Sequence, residues 1–257
     1  MLRKGDLTQG GITGTLLHFT LPMMVGSFLQ QCYNIADTLI VGQCIGAGAL
    51  AAVGSAYTLM VFLISVLLGL AMGSGTVFSL HYGAGNHVAL RHSIFSSFVL
   101  IGIVTLILNV AVFIWLDPIL RLLQVPQDIY GMMRSYLWII FCGIVFTFIY
   151  NFYASLLRAV GDSVTPLWFL AVSVVLNIAL DLFFILQLDW GIQGAAAATV
   201  LAQGVAALGI IIYTYRRRPE LRWHHEDMCF DRTCLKEIAS FSTPVSYTHL
   251  TLPTIRL

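Results

Sequence analysis

Charge is what this sequence has least of. Its 257 residues include 13 Lys and Arg and 12 Asp and Glu, 10% charged in all, for a formal net charge of +1. Those charges lie in short connecting segments and form no basic tail or patch, so no nucleic acid is expected as a partner. Cysteine is sparse as well. Cys32, Cys44, Cys142, Cys229 and Cys234 are scattered, and the first three fall in apolar stretches, the pattern of small core residues and not of a disulfide framework. No cleavable leader is expected, because MLRKGDLTQGG is polar and no small-residue cleavage site follows a short apolar run. A phosphate-cradling glycine loop is missing, which removes ATP as an energy source within this chain. Ala159-Val160-Gly161-Asp162 lacks the first glycine of an aspartyl intramembrane protease, and Met72-Gly73-Ser74-Gly75 has glycine directly before its serine with no paired histidine in a span. The chain is therefore not read as an enzyme.

Apolar residues fill the space. They make up 58% of the chain, with a mean hydropathy of +0.87, more than a soluble fold of this length can bury. The lipid bilayer is its solvent. Crossing the hydrocarbon takes a helix of about 20 apolar residues, and such stretches lie at 16–41, 50–80, 93–116, 136–157, 166–186 and 192–215. The expected fold class is an all-α membrane protein, a bundle of six transmembrane helices. Arg3, Lys4, Arg91, Arg158, Arg216, Arg217, Arg218 and Arg222 share one side of that topology, against only Arg121 and Arg134 on the other. Positive residues stay inside, so the N-terminus and the segment after the sixth span are expected in the cytoplasm, in the cell inner (plasma) membrane.

Three segments follow from this pattern: a six-helix lobe over 1–215, a cytoplasmic linker over 216–240, and the start of a seventh span over 241–257. Phe241-Ser242-Thr243-Pro244 echoes Phe19-Thr20-Leu21-Pro22 at the start of the first span, where a second, parallel repeat would begin. Beyond Val245, SYTHLTLPTI resembles translated sequencing-adaptor read-through, and the expectation is that this tail is not native.

Within the spans a few polar residues stand out, since a carboxylate in hydrocarbon is expensive and therefore points to an ion or substrate path. Asn34 and Asp37 are three apart in the first span, and Asn177 and Asp181 four apart in the fifth, so each pair shares a helix face. Thr199 adds a hydroxyl in the sixth, beside the small residues of Gly194 to Ala198 that admit a close neighbouring helix. The alternative for each Asp is a purely structural one, accepting hydrogen bonds from a neighbouring span. Pro22 removes a backbone donor within the first span and makes it a candidate hinge. His224, His225, Glu226, Asp227, Cys229 and Cys234 cluster in the linker at no zinc-like spacing and read as a solvated loop. His81, His87 and His92 read as interfacial polar residues, and Trp115, Trp138, Trp168, Trp190 and Trp223, near span ends, as headgroup anchors.

The stretches Pro22 with NIADTLIVGQ, HYGAGN (81–86), LLRAVGDSVTP (156–166), LNIALDLFFI (176–185) and DWGIQGAAAATVLAQ (189–203) occur in an order that resembles the N-terminal lobe of the multidrug and toxic compound extrusion family, covering nearly all of residues 10–215. The resemblance implies a twelve-helix, two-lobe antiporter that exchanges sodium or protons for small cationic or amphipathic organic compounds. It implies a cation site at Asp37, Asn177, Asp181 and Thr199, where sodium or a proton is the coupling ion and no other cofactor is needed, with Asn34 as an auxiliary ligand. The missing C-terminal lobe is then the required partner, beside the organic substrate. In LLRAVGDSVTP, Gly161 and Pro166 are expected to shape a cytoplasmic turn that Arg158 and Asp162 fix. Two other functions compete: a flippase for a lipid-linked saccharide or cell-wall precursor, and an inactive or scaffolding membrane fragment. An anionic lipid cargo calls for basic residues in the cavity wall, and the spans have almost none.

Overall fold

In a computed structural model, residues 12–222, 236–238 and 240–241 are described, and all the regular structure among them is helical. Helices α1 (Ile12–Cys44), α2 (Ala47–Gly83), α3 (His87–Leu122), α4 (Gln127–Cys142), α5 (Ile144–Ala159), α6 (Val164–Leu182) and α7 (Gly191–Arg217) follow one another through short turns. A π-helical turn, Phe183–Gln187, extends α6, and a 3₁₀ turn, Pro219–Leu221, follows α7. Four helices, α2, α3, α6 with its π turn, and α7, are long and apolar enough to cross a membrane, five spans if α4 and α5 count as one bent span. The described part of α1 is more polar, because Gln30, Gln31, Asn34 and Asp37 sit within about two turns of it.

The expected fourth span, 136–157, is thus two helices meeting at 47°. Gly143 marks the break, and its cause is tertiary. A Cβ at Gly143 would stand 2.4 Å from Val200 Cγ2 of α7, so the backbone of the α4–α5 corner lies directly on α7. The other expected spans agree with helices that run several residues past them. Pro22 lies inside an α1 that continues as helix on both sides of it.

The core runs through α2, α3, α4, α5 and α7, with Phe78, Phe141, Phe152, Leu137, Leu157 and Ile210 fully buried. Phe152 sits at its centre, edge-on to Phe78 at 5.9 Å and to Phe98 at 5.3 Å. Against α6, the small face of α7 closes in: Ala195, Ala196 and Ala198 are fully buried, and a Cβ on Gly194 would come within 3.0 Å of Phe184 Cβ. This is the close approach that small residues permit where lipid offers no hydrophobic drive for helix pairing.

The α5–α6 turn is built on Gly161, whose φ of +86° is a conformation that glycine adopts without a Cβ clash. Asp162 then caps α6, accepting from the Thr165 amide at 3.0 Å and the Thr165 hydroxyl at 2.8 Å, while Arg218 beyond α7 reaches the same carboxylate at 3.4 Å. Asp162 therefore does what the sequence leads one to expect of it. Arg158 does not share that bond, and donates instead to Ser155 one turn back on α5. Asn86 caps α3 by accepting from the Ala89 amide.

One expectation needs correction. Cys32, Cys44 and Cys142 are free, but none is a core residue: Cys44 and Cys142 are exposed and Cys32 half-buried. After α7, Leu221 and Ile238 are buried, Ile238 against Val77 and Leu100. Trp115, Trp138, Trp168 and Trp190 are all exposed near helix ends, as anchors require. The 224–234 cluster, Trp223, and the segment beyond Val245 lie outside the described residues.

Candidate functional site

Three helices bring the site together. Asp37 comes from α1, about two turns before its C-terminal end, Asn177 and Asp181 from successive turns of α6, and Thr199 from α7, whose small face lets it pack close enough for a short side chain to reach across. All are buried: Asp37 is 8% exposed, Thr199 7%, and Asn177 and Asp181 fully enclosed. Residues 177 and 181 stack on one face of α6 because they are one turn apart.

The carboxyl groups of Asp37 and Asp181 lie side by side, close enough to share a hydrogen bond when one of them carries a proton. Asn177 links the second carboxylate to α7. The amide orientation that satisfies both neighbours has its nitrogen donating to Asp181 Oδ2 at 3.0 Å and its oxygen accepting from the Thr199 amide at 3.3 Å; the reverse orientation turns the nitrogen toward Thr199 Oγ1, at 3.3 Å. We adopt the first, since it leaves neither end of the amide facing its own kind. Tyr33, one turn before Asp37, donates its hydroxyl to Thr199 Oγ1 at 3.1 Å. Tyr136 of α4, almost fully buried, is within electrostatic reach of both carboxylates.

This network leaves two oxygens over. Asp37 Oδ1 and Asp181 Oδ1 are buried and accept no hydrogen bond among the described residues. A carboxylate at the centre of a membrane helix costs about 2.5–3.5 kcal/mol on insertion scales, and two of them facing each other with unsatisfied oxygens need a neutralising partner. Either a proton or a cation meets that need. The oxygen donors, two carboxylates and a hydroxyl, suit a hard cation, and no cluster of three or more His, Cys, Asp or Glu that would suit a softer metal occurs among the described residues.

Asn34 is not drawn into this set. It is half-buried, and its amide donates to Gln31 Oε1 at 3.2 Å on its own helix. Tyr33 and Tyr136 were not singled out from the sequence. Tyr33 carries a signal that could have found it, since its spacing of four from Asp37 puts both on one face of α1; Tyr136 carries none, because only the packing of α4 against α2 and α7 brings it near.

Ion pairs lie at both ends of the bundle. Asp162, Arg218 and Glu220 pair at the end where α5, α6 and α7 meet, and His81 of α2 lies 3.9 Å from Glu237. At the other end Arg134 of α4 binds Asp117 of α3 at 2.8 Å, and Tyr130 donates to the same carboxylate at 2.8 Å.

Comparison with known proteins agrees with this architecture. The MatE family model matches residues 22–183. Among similar proteins, "Probable multidrug resistance protein YpnP" of Bacillus subtilis is 37% identical over 217 residues, 84% of this chain and 49% of that protein. "Multidrug export protein MepA" of Staphylococcus aureus is 30% identical over 202 residues, 77% of this chain and 44% of that one. A solved structure described as the outward-facing conformation of a multidrug resistance MATE family transporter of the MOP superfamily superposes with a TM-score of 0.91 at 25% identity, covering 99% of this chain and 56% of its own. A second, of a MOP superfamily transporter from Pyrococcus furiosus, gives 0.88 at 26% identity. The chain spans about half the length of the curated relatives it matches.

Proposed function

The chain belongs to the MatE family of multidrug efflux transporters, and from that premise we propose that it is the ion-coupling half of an antiporter that exports small cationic or amphipathic organic compounds. On this reading it is a carrier and not an enzyme, set in the inner (plasma) membrane with its N-terminus and the α7 end of the bundle in the cytoplasm. Its necessary partner is a second six-helix lobe. The observation that carries the proposal is the pair of buried, under-coordinated carboxylates, Asp37 and Asp181, held together by groups from three helices.

The coupling ion is sodium or a proton, and the two compete. Out of water a carboxyl group is tolerable when protonated or when paired with a cation, so occupancy by one displaces the other. Thr199 adds an oxygen without adding charge, and Asn177, donating to Asp181 and accepting from the Thr199 amide, fixes α6 against α7. Because the site is shared between α1 and the α6–α7 pair, an ion there favours whichever arrangement keeps those helices together, and it is this differential affinity that couples ion entry to cargo exit. The cargo reading rests on sign: the buried groups that carry charge here are acidic, which suits a cation and not an anionic lipid precursor.

Transport by the two-lobe protein tests the proposal. Asp37→Asn is expected to lower ion-driven efflux of a fluorescent organic cation at least about tenfold, a loss of ~1.4 kcal/mol in coupling, with membrane insertion preserved. Asp181→Asn should act in the same direction less severely, and Thr199→Ala more mildly again. Undiminished efflux by the Asp37→Asn, Asp181→Asn double variant across a range of pH and sodium would place coupling elsewhere.

A further inference from the structure

Behind Thr199, between α2, α4, α5 and α7, lies a small cavity of ≈ 30 Å³. Most of its wall is apolar, including Met60, Ile64 and Ile140, but three polar side chains converge on it: Thr147 of α5, and Thr199 and Gln203 of α7. Thr199 and Gln203 are one helical turn apart and so share a face. The Thr147 hydroxyl donates to Gln203 Oε1, which fixes the direction of the glutamine amide.

The unused capacity of these groups is complementary. Thr199 Oγ1 accepts from Tyr33 and donates no hydrogen bond among the described residues, unlike Thr105 and Thr214, whose hydroxyls bond back to their own helices. Gln203, having its oxygen engaged, keeps two N–H donors, and Thr147, having given its proton, keeps an acceptor lone pair. The cavity is large enough to admit water, and a buried water needs two to four polar partners, a set that these three side chains supply once. We propose that this chamber holds a single ordered water, accepting from Thr199 and Gln203 and donating to Thr147, which makes Thr147 and Gln203 positioning residues for the coupling site.

The consequence lies in which way the Thr199 oxygen faces. A hydroxyl that gives its proton to a water on one side, with one lone pair taken by Tyr33, presents its remaining lone pair toward Asp37 and Asp181, where a cation needs an oxygen donor. Without that acceptor the proton can turn inward and repel the ion. The inference rests on the reading of Asp37 and Asp181 as a cation site, and the test separates the two.

Equilibrium binding of radioactive sodium to the chain, reconstituted in lipid nanodiscs, is measured for the wild type and for variants. Thr147→Val and Gln203→Leu are each expected to weaken sodium binding by about three- to tenfold, the worth of one water-mediated link. The double variant should be no weaker than either single, since both remove the same water, and Thr147→Ser should restore wild-type affinity. Ile64→Phe, which fills the chamber from its apolar wall without altering a polar group, should match Thr147→Val, and it serves if the polar variants fold poorly. Asp37→Asn should abolish binding. If Asp37→Asn binds sodium as well as the wild type, or the wild type binds none, the cation site itself is wrong. If Asp37→Asn abolishes binding while Thr147→Val, Gln203→Leu and Ile64→Phe stay within about twofold of wild type, the site stands and the water is overturned.

Discussion

At the scale of single residues, Asp37 and Asp181 trade stability for use. Each keeps a buried oxygen without a hydrogen-bond partner among the described residues, and an uncompensated buried charge weakens a fold. Asp37→Asn should therefore raise the thermal midpoint of the reconstituted chain in sodium-free buffer, and sodium should no longer raise it further. A midpoint that falls, or a sodium-induced rise that survives, would contradict the assignment. The cost that makes these residues strange in a membrane also makes them legible: Asp37, Asn177, Asp181 and Thr199 all stand out in apolar runs, and the fold gathers them. Tyr136, Thr147 and Gln203 were not legible, because polar residues half-way along a span become meaningful only once it is known which helix they face. Asn34 shows the limit of spacing, for it shares a turn with Asp37 while its amide bonds to Gln31 on its own helix.

Helices and their junctions pose a different question, for their periodicity was plain in sequence and their interruptions were not. Gly143 sits in an unremarkable apolar run, and only Val200 on a distant helix explains why the chain bends there. Gly143→Ala should lower stability by about 1–3 kcal/mol, the usual cost of forcing atoms into a packed interior, as measured by thermal unfolding in detergent. Gly161→Ala is expected to cost a similar ~1–3 kcal/mol for a different reason, a side chain held at positive φ, so pairing it with Gly143→Ala should give additive losses. Marked non-additivity would show that the two corners communicate. The folding back of Leu221 and Ile238 onto the bundle was likewise hidden, since two apolar residues in a charged stretch carry too little periodicity to announce a docking face.

For the whole molecule, orientation and completeness are the measurable properties. Cys44 ends α1 on the side away from Arg218, and it is exposed. With positive residues inside, an impermeant thiol reagent added to intact cells should label Cys44 and spare Cys229; labelling of Cys229 alone would invert the topology. Alternating access needs one bundle to move against another, so the 257-residue chain is expected to bind its ion without saturable drug efflux in liposomes, and to regain efflux when the second lobe is co-expressed. The bond from Arg218 to Asp162 has a mechanical consequence. It fastens the end of α7 to the start of α6, and the packing of Gly194 on Phe184 and Gly209 on Phe169 locks the same two helices along their length. These helices supply Asn177, Asp181 and Thr199, so three of the site's groups are held in one block, and Asp37 joins them from α1, which packs on α6. On the proposed reading an ion bound there would work as a clutch: engaged, it would make α1 turn with the α6–α7 block, and released, it would let α1 slip.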